Sequence, residues 1–553
     1  MFEKPYRAVR KLLLCDLPDE LLVKILLNLD GYSLLQAQQI NVRLCKLIRD
    51  EKALQYSLEL SIAGMEDGPE NAPFTVEERM ARLKDYVSAW EGLRCQGEET
   101  FTVRNPSIWA VTGGLVSYGE ISVQTGTTKL VFRKLPSRTR DIADRTWIHE
   151  VPVAVQLFTA DLSRDLFVFG SARPSTPSSV SLRIGFNHIS TGRRHTQAKH
   201  PFIDHEVPFE FTEPTIFEVL VCQTYMAVSC KEFIDYDGDN WEAVRNHFPK
   251  TSFFVYDWLT GELIFQITDH IQDFTFLSDK DVLLLVTPKA PPYAYMLVVV
   301  DINNQHSPER CSVTTSLLLP ELVPHLRDPQ PDVSVHSRPQ FTPMGGFATS
   351  DRIPFRTASE SRILAIRLEF EPSWPPVVFV PLLTIKPFMN SEMREVSRLS
   401  ECAEQSVPWE VWGANGSTRV MEAPMSDVCC TWGSRCIFFR STFLERWRIR
   451  AERVKICDFN LLSLKRRMGT TEFQQTDAPS PGLPRLVLDP NTIAKGTYFE
   501  ESVTTSLPYW VDYAGMSETL NAFILEDHIV FVHGFGPDVD KDDVYTLRVS
   551  QIS

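Results

Sequence analysis

The feature that most constrains the fold is a succession of short apolar segments in the middle of the chain. Residues 251 to 302 contain several such segments, and turn-forming residues such as Thr260-Gly261 separate them. The predicted strands there are residues 252 to 258, 262 to 267, 273 to 277, 282 to 287 and 296 to 302. Strands that recur about every ten residues with turns between them indicate an antiparallel all-β architecture.

The same pattern of short apolar segments separated by turn residues extends over the large C-terminal part of the sequence, from about residue 100 onwards. Further predicted strands are residues 166 to 169, 216 to 221, 362 to 370, 446 to 456, 522 to 532 and 544 to 549. At roughly 45 to 60 residues per four-stranded sheet, about 450 residues make six to eight blades, with seven the central value. We therefore expect a β-propeller of six to eight blades. Two stacked sandwiches or an irregular β-solenoid remain as alternatives, because the Trp-Asp and Gly-His dipeptides of common blades are absent.

One pair of segments within this region is weakly similar. Residues 182 to 192 and residues 255 to 261 both read as an apolar strand that ends in Thr-Gly. Segments rich in Pro, Ser, Thr or charge predict long loops. These loops are residues 171 to 179, 193 to 204, 235 to 240, 303 to 310, 325 to 352 and 469 to 484.

Two short, heavily apolar helices are predicted near the N-terminus. Pro18 suits a first helical turn, Asp30-Gly31 predicts a stop, and Ser33 with Gln36 predicts a capping box that starts the second helix. The apolar faces are Leu17, Leu21, Leu22, Ile25, Leu26 and Leu29 in the first helix, and Leu34, Ala37, Ile40, Leu44, Leu47 and Ile48 in the second. Such a pair is too small to form a core alone, so we expect its apolar surface to bind a partner.

The helical segment resembles an F-box over residues 12 to 60. The matching positions are Leu17-Pro18-Asp19-Glu20-Leu21-Leu22, Ile25-Leu26, Leu29, Leu34-Leu35, Ile40, Leu44 and Leu47-Ile48. The resemblance implies docking on the Skp-type linker subunit of a cullin ubiquitin ligase. The implied linker-binding residues are Leu17, Pro18, Leu21, Leu22, Ile25, Leu26, Leu29, Leu34, Leu35, Ile40 and Leu44. Leu44 stands where the family usually has Trp, and this smaller side chain predicts weaker docking. The alternative is an ordinary helical hairpin packed on the protein's own core.

A third helix is predicted between the F-box-like segment and the β region. Thr75 and Glu78 form a second capping-box pattern, and Gly92 marks the helix end. Its apolar face is Val76, Met80, Leu83, Val87, Trp90 and Leu93. We therefore predict an α+β multidomain chain: an F-box module at residues 1 to 60, a linker with a bracing helix at residues 61 to 99, and a large all-β target-binding domain at residues 100 to 553.

Charge and cysteine content restrict the partners and the compartment. The formal net charge of −15 argues against broad nucleic-acid binding, which depends on phosphate neutralisation. No run of eighteen apolar residues occurs, so no membrane segment is expected. The eleven cysteines are irregularly spaced and include no CxxC pair, which indicates reduced thiols in a cytoplasmic or nuclear protein and no zinc site.

The sequence offers little that predicts catalysis or cofactor binding. It lacks the GxGxxG, GxxxxGK[ST], HExxH and GxSxG motifs, and we expect no cofactor. The acidic runs at residues 235 to 240 and 538 to 543 lack the ligand spacing of a calcium loop, so we interpret them as solvated hairpin tips. Arg446, Arg448 and Arg450 alternate with apolar residues, which puts them on one face of a strand and suggests either an exposed face or a site for an acidic peptide.

The F-box resemblance and the all-β region together predict a non-catalytic substrate adaptor. The helices would bind a Skp-type linker and, through it, a cullin, and the β domain would bind a target protein. Ubiquitin transfer would then be catalysed by other subunits, and this chain would contribute proximity. A propeller enzyme with a funnel active site and a scaffold outside any ligase remain as alternatives.

Overall fold

The computed structural model describes most of the chain. The described residues are 14–104, 106, 108–122, 124–176, 179–208, 216–231, 250–287, 294–327, 332–339, 353–370, 376–389, 393–414, 416–422, 430–444, 448–469, 484–514, 521–534 and 544–552. Helices at the N-terminal end of this range are followed by a ring of β-sheets, as the sequence predicts.

The helices fall into an N-terminal group and three shorter elements within the β region. They are α1 (Asp19–Leu26), α2 (Gly31–Ile40), α3 (Val42–Asp50), α4 (Lys52–Ala63), α5 (Val76–Glu91), α6 (Leu382–Ile385), α7 (Trp409–Trp412) and α8 (Leu461–Gly469). Single turns of 3-10 helix occur at Leu14–Asp16, Leu162–Arg164, Pro324–Leu326, Ser359–Ser361 and Lys386–Phe388, and a longer one at Leu399–Gln405.

The β-strands form seven antiparallel sheets that are the blades of a propeller. Blade one contains β3 (Ile108–Thr112), β4 (Leu115–Ile121), β5 (Thr128–Lys134) and β6 (Arg145–Val151). Blade two contains β7 (Leu157–Asp161), β8 (Leu166–Thr176), β9 (Ser179–His188) and β10 (Phe202–Val207). Blade three contains β11 (Ile216–Cys222), β12 (Tyr225–Lys231), β13 (Thr251–Asp257) and β14 (Glu262–Asp269).

Two of the remaining four blades have a fifth strand at the edge. Blade four contains β15 (Ile271–Phe276), β16 (Asp281–Val286), β17 (Met296–Asp301) and β18 (Cys311–Leu318), with β23 (Arg394–Val396) at its edge. Blade five contains β19 (Asp332–His336), β21 (Ile363–Glu369), β22 (Pro376–Pro381) and β24 (Arg419–Glu422). Blade six contains β25 (Cys430–Trp432), β26 (Arg435–Leu444), β27 (Arg448–Asp458) and β31 (Tyr509–Ala514), with β28 (Arg485–Val487) at its edge. Blade seven contains β32 (Asn521–Ile524), β33 (His528–Gly534), β34 (Val544–Gln551) and β2 (Gly97–Arg104).

Blade seven closes the ring by combining strands from both ends of the β region. Strand β2 runs antiparallel to β34, with Gly97 opposite Gln551 and Arg104 opposite Val544. This pairing satisfies the backbone edge that β34 would otherwise expose and joins the first strand of the domain to the last. The predicted domain boundary at residue 100 falls inside β2.

Two short strand pairs lie outside the blades. Strand β1 (Met65–Asp67) pairs with β20 (Phe355–Thr357), and β29 (Asn491–Ile493) pairs with β30 (Val503–Thr505). The first pair connects the end of the helical module to the propeller by backbone hydrogen bonds. The bracing segment is therefore part of the β framework as well as a helical support.

The core consists of apolar layers between neighbouring blades. One layer joins blades four and five around Leu283, Val299 and Ile366, and another joins blades two and three around Val168 and Phe254. Both faces of β16 and β17, the two middle strands of blade four, are buried, which explains why they are continuous apolar runs rather than alternating ones.

Several predictions about the helices and loops were wrong. Helix α2 begins at Gly31 and is capped by Asp30, whose carboxylate accepts a hydrogen bond from the Ser33 amide at 2.8 Å, so the predicted Ser33–Gln36 capping box is not the start of the helix. The predicted second helix is two helices, because Asn41 adopts an extended backbone and caps α3. Residues 171 to 179, predicted as a loop, belong mostly to the β8–β9 hairpin, and residues 522 to 532 form two strands rather than one.

Candidate partner-binding surfaces

The N-terminal helices build a small module with its own apolar core. The buried core residues are Leu22, Leu26, Leu34, Ala37, Leu44, Leu47, Ile48 and Leu54. Arg43 on α3 fastens the start of α1, because its guanidinium donates to the Asp19 carboxylate at 2.5 Å and to the Leu17 carbonyl at 2.9 Å. Four short helices therefore hold one another in a fixed arrangement that the sequence prediction of two helices did not contain.

The predicted linker-binding residues divide into three groups by exposure. Leu22, Leu26, Leu34 and Leu44 are buried in the core of the module. Leu17, Leu29 and Leu35 are half-buried, and Pro18, Leu21, Ile25 and Ile40 are exposed. Their predicted contact with a linker stays a prediction, but the first group also has a structural role, since its members hold the helices together. Leu44, in the position of the usual Trp, belongs to this buried group.

Exposed apolar side chains remain on α1 and at the junction of α2 and α3. Leu21 and Ile25 are 47% and 41% exposed, and Ile40 and Val42 are 76% and 75% exposed. Leu21 and Ile25 are four residues apart on one helix, so they lie on the same face, one turn above the other. Val42 was not among the predicted residues, since the break at Asn41 that exposes it was not anticipated.

The module contacts the rest of the chain mainly through α4. The Ile62 carbonyl accepts a hydrogen bond from the Asn460 side chain at 2.8 Å, and Glu59 forms an ion pair of 2.5 Å with Arg466 on α8. Gly31 at the start of α2 lies close to α8, since an added Cβ would be 3.5 Å from the Leu462 Cδ1. These contacts are made by α2 and α4, so they leave the exposed side chains of α1 uncovered.

Helix α5 braces the module against blades six and seven. Its first turn carries the predicted capping box, with the Glu78 amide 3.2 Å from the Thr75 hydroxyl and the Thr75 amide 2.8 Å from the Glu78 carboxylate. Its predicted apolar face packs into the same cluster as Ile437, Ile456 and Leu547 of the propeller. The predicted apolar face of this helix therefore packs against the propeller.

A buried polar junction fixes α5 to the propeller. Tyr86 and Trp90 both donate to the Glu526 backbone carbonyl, at 2.9 and 3.2 Å. The Glu526 side chain forms an ion pair with Arg140 at 2.6 Å, and Asp527 also pairs with Arg140. Burial raises the pKa of Glu526, and the Arg140 charge opposes that rise.

The axis of the propeller contains two adjoining cavities. The first, here named the carboxyl cavity, has a volume of about 290 Å³ and is lined by inner strands of several blades, including Glu218 on β11 and Asp273 on β15. The second, here named the module-side cavity, has a volume of about 210 Å³. It is lined by turns that follow inner strands and by Glu66 of β1, in the segment that joins the helical module to the propeller. Both cavities share Thr112 and Leu220 in their linings, so they succeed each other along the axis.

The lengthwise order along β3 and β11 shows which end of the axis the helical module occupies. Trp109 and Glu218, early in their strands, line the carboxyl cavity. Gly113 and Val221, at the ends of the same strands, line the module-side cavity together with Glu66. The segment that joins the F-box module to the propeller therefore lies where the inner strands end. The carboxyl cavity lies towards the opposite mouth.

Some predicted features fall outside what the structure describes. The acidic runs at residues 235 to 240 and 538 to 543 and Arg446 of the arginine stripe lie outside the described residues, while Arg448 and Arg450 are on β27. Within the described residues, no group of three or more His, Cys, Asp or Glu side chains is placed to hold a metal ion. The described helices include none that is both long and apolar enough to cross a bilayer.

Comparisons with known proteins agree with this architecture at its N-terminal end. The family model of the F-box domain matches residues 14–55. The module is thus an F-box domain, and the chain carries it in front of a seven-bladed β-propeller.

Whole-chain comparisons add no functional information. No curated protein matches the chain. Solved structures that match include the β-propeller domain of the Trilobed protease from Pyrococcus furiosus, at 8% identity over 63% of this chain and 79% of that one, with a TM-score of 0.30. An ACO/RPE65 chimera matches at 9% identity over 53% of this chain and 61% of that one, with a TM-score of 0.27. Similarity this low carries no argument, and the blade count rests on the strand pairing of this chain.

Proposed function

We propose that this protein is the substrate-recognition adaptor of an SCF-type ubiquitin ligase. Its F-box domain would bind a Skp-type linker and, through it, a cullin, and its propeller would bind a target protein. The observation that carries the proposal is an F-box domain with apolar side chains left exposed on α1 and at the α2–α3 junction, away from its contacts with the propeller.

The exposed side chains support this proposal because they suit helix-groove docking. Leu21 and Ile25 offer two apolar anchors one turn apart on α1, the usual spacing of helix-in-groove recognition. The buried leucines beneath them keep α1 in place before a partner arrives, so little ordering entropy is lost on binding. We expect Leu21 and Ile25 to contribute more to linker affinity than the half-buried Leu17, Leu29 and Leu35.

The connection between the module and the propeller supports a role in proximity. Helix α5, whose Tyr86 and Trp90 side chains donate to the Glu526 carbonyl, and the β1–β20 pair hold the F-box domain at a fixed place on the propeller. A target on the propeller would then be kept at a defined distance from the ligase, which raises its effective concentration without any chemistry from this chain. Catalysis would come from other subunits.

The proposed site of action is the cytoplasm or the nucleus, where such ligases are expected to work. The cysteines of the described residues form no disulfide, and most are buried thiols. Burial raises the pKa of Cys402 to about 11, which keeps that thiol protonated and unreactive at neutral pH. These thiols fit a reducing compartment.

The direct test uses the full chain and a purified Skp-type linker. The double variant Leu21→Ala, Ile25→Ala should weaken binding measured by calorimetry, since each buried anchor contributes roughly 1–3 kcal/mol. Lys24→Ala, exposed on the same helix, is the matched control and should bind as the unaltered chain does. Equal affinity of the double variant and the control, or no binding by any of them, would refute the adaptor proposal.

The two alternatives are separated by different observations. A scaffold outside any ligase would bind the linker but fail to co-purify with a cullin. A propeller enzyme would use the axial cavity, and that cavity does contain Glu218, Asp273 and His336. We assign these groups to binding rather than to catalysis, and turnover of any compound that is lost on Asp273→Asn would contradict that assignment.

A further inference from the structure

Two carboxyl groups from neighbouring blades meet in the carboxyl cavity. Glu218 on β11 and Asp273 on β15 share a hydrogen bond, which requires one proton between them. The Asp273 carboxylate also accepts from the Phe274 and Val335 amides, at 2.7 and 2.6 Å. Backbone from blades four and five therefore fixes the Asp273 side chain in its orientation, and the pair is a positioned feature of the axis rather than a loose surface cluster.

Buried hydroxyl groups without partners line the same cavity. Thr275, Ser337 and Thr431, from blades four, five and six, are only 2%, 3% and 0% exposed. Within the described residues their side-chain oxygens make no hydrogen bond. A buried hydroxyl that lacks a partner costs free energy, so three of them around one cavity indicate a polar occupant.

An aromatic pair lies in the lining of this cavity. The Trp109 and Phe523 rings meet edge to face with centroids 4.9 Å apart, and Trp109 keeps 43% of its surface exposed. The face of an indole ring attracts a cation, and the ring also offers apolar surface to an alkyl chain. A ligand that enters past Trp109 would therefore gain from carrying a positive charge on an apolar stem.

The charged groups around the carboxyl pair determine whether a ligand bound there is a cation or an anion. Arg338 lines the cavity and, with Lys231, lowers the pKa of Glu218, while burial raises it more. Burial and the charges of Arg338 and Arg367 lower the pKa of His336 to about 4, so this imidazole is neutral. An anion would lie against two carboxyl groups and unpartnered hydroxyls, whereas a cation would find acceptors in all of them.

We propose that the carboxyl cavity binds a primary ammonium group, presented as the lysine side chain of a target protein. An ammonium group has three donors and no acceptor, which suits a cavity of carboxylate and hydroxyl oxygens. A lysine side chain also has the narrow, flexible four-carbon stem needed to pass the aromatic pair and reach the carboxyl pair. The identity of the carrier as a target protein rests on the proposed adaptor function, but the ammonium site itself does not.

Binding of this cation is coupled to proton release. The ammonium group replaces the proton that Glu218 and Asp273 share, and that proton leaves to solvent, so the net charge of the cavity is unchanged. Lys231, Arg338 and the neutral His336 are the other charged or titratable groups of the lining and its surroundings that face the pair. The affinity for the ammonium group should therefore rise with pH until the pair is fully ionised.

The test compares two peptide pools on the full-length chain. One pool has a lysine fixed at its centre, the other has norleucine at that place, and fluorescence polarisation reports binding at neutral and at mildly acidic pH. The lysine pool should bind at least tenfold more tightly than the norleucine pool. Asp273→Asn and Glu218→Gln, which keep the size of each side chain and remove its charge, should each lose at least tenfold, while Asp279→Asn, exposed in the same blade, should bind normally.

Several outcomes would overturn the proposal. Equal binding of both pools, equal binding by Asp273→Asn, or preference for a pool with a central phosphoserine would each refute an ammonium site. Binding of n-butylamine as tight as that of the lysine pool would show a site for free amines and refute a target lysine. Linker binding by the Asp273→Asn chain is measured in parallel, so that failure of the adaptor proposal and failure of the ammonium site are told apart.

Discussion

The Tyr86 hydroxyl on α5 donates a hydrogen bond of 2.9 Å to the backbone carbonyl of Glu526, in the turn between β32 and β33 of the closing blade. The two residues are 440 positions apart in the sequence. Together with the bond that Trp90 donates to the same carbonyl at 3.2 Å, it connects the helix next to the F-box domain to the blade that closes the propeller. The orientation of one partner-binding surface relative to the other is therefore determined at a buried polar junction.

Removal of the Tyr86 hydroxyl tests this junction with the smallest change. Tyr86→Phe keeps the ring packed but deletes this bond and the one that the hydroxyl accepts from Arg435 at 3.1 Å. We expect a loss of about 1–3 kcal/mol in the free energy of unfolding, measured by urea denaturation. Tyr118→Phe is the control, since within the described residues no hydrogen bond to its hydroxyl is found. A loss as large in the control, or none in Tyr86→Phe, would contradict the role of this bond.

Breaking the buried ion pair at the same junction should lower the free energy of unfolding more than removal of the Tyr86 hydroxyl does. Arg140→Met leaves Glu526 and Asp527 buried without their cation, and the expected loss of stability is roughly 3–5 kcal/mol. Lys129→Met breaks a pair of 3.6 Å with Glu120 that is exposed on the surface, and it should cost at most about 1 kcal/mol. If the two variants are equally stable, the buried pair does not have the role assigned to it.

The carboxyl pair makes stability depend on pH in a defined direction. Burial raises the pKa of both Glu218 and Asp273 in the folded chain, and the Glu218 charge raises that of Asp273 further, so this state keeps protons that the unfolded chain has released. The stability contributed is present below about pH 4, the ordinary carboxyl range, and is lost as the pH rises through the raised values.

Asp273→Asn isolates this effect, because the amide cannot release a proton. The stability of the variant should fall less steeply than that of the unaltered chain as the pH rises above about 4, and the difference should grow with pH. The measurement is the urea midpoint across the pH range, with Asp279→Asn as the control. Parallel curves for the unaltered chain and Asp273→Asn would show that the pair does not titrate as described.

Two adjacent leucines on α1 should contribute very differently to the stability of the F-box domain. Leu22 is fully buried in the core of the F-box domain, and Leu22→Ala should destabilise that domain by roughly 2–5 kcal/mol. Leu21 is exposed, and Leu21→Ala should change stability by no more than about 0.5 kcal/mol. Thermal unfolding followed by circular dichroism checks both, and destabilisation of similar size would place Leu21 in the core instead.

The sequence predicted the elements whose signals are local. The strands between residues 251 and 302 were placed within one or two residues, because each apolar run is bounded by a turn such as Thr260-Gly261. The similar segments at residues 182 to 192 and 255 to 261 are explained as well, since β9 and β13 are the third strands of consecutive blades and each is followed by a glycine with positive φ, Gly192 or Gly261.

The features that sequence reasoning missed depend on contacts between distant residues. Nothing local distinguishes the exposed Leu21 from the buried Leu22, since the packing of α2, α3 and α4 decides which side of α1 is covered. The Glu218–Asp273 pair was also missed, because the two carboxyls belong to different blades and meet only at the axis. The helix break at Asn41, which caps α3, was missed because the apolar periodicity on both sides of it suggested one continuous helix.

Hydrogen exchange with and without a purified Skp-type linker tests the central proposal most directly. The account predicts that the linker slows exchange in peptides from residues 19 to 50, which contain α1, α2 and α3, and leaves the inner strands of the propeller unchanged. Absence of protection in those helices, or protection confined to the propeller, would contradict the assignment of this F-box domain as the ligase-binding end of an adaptor.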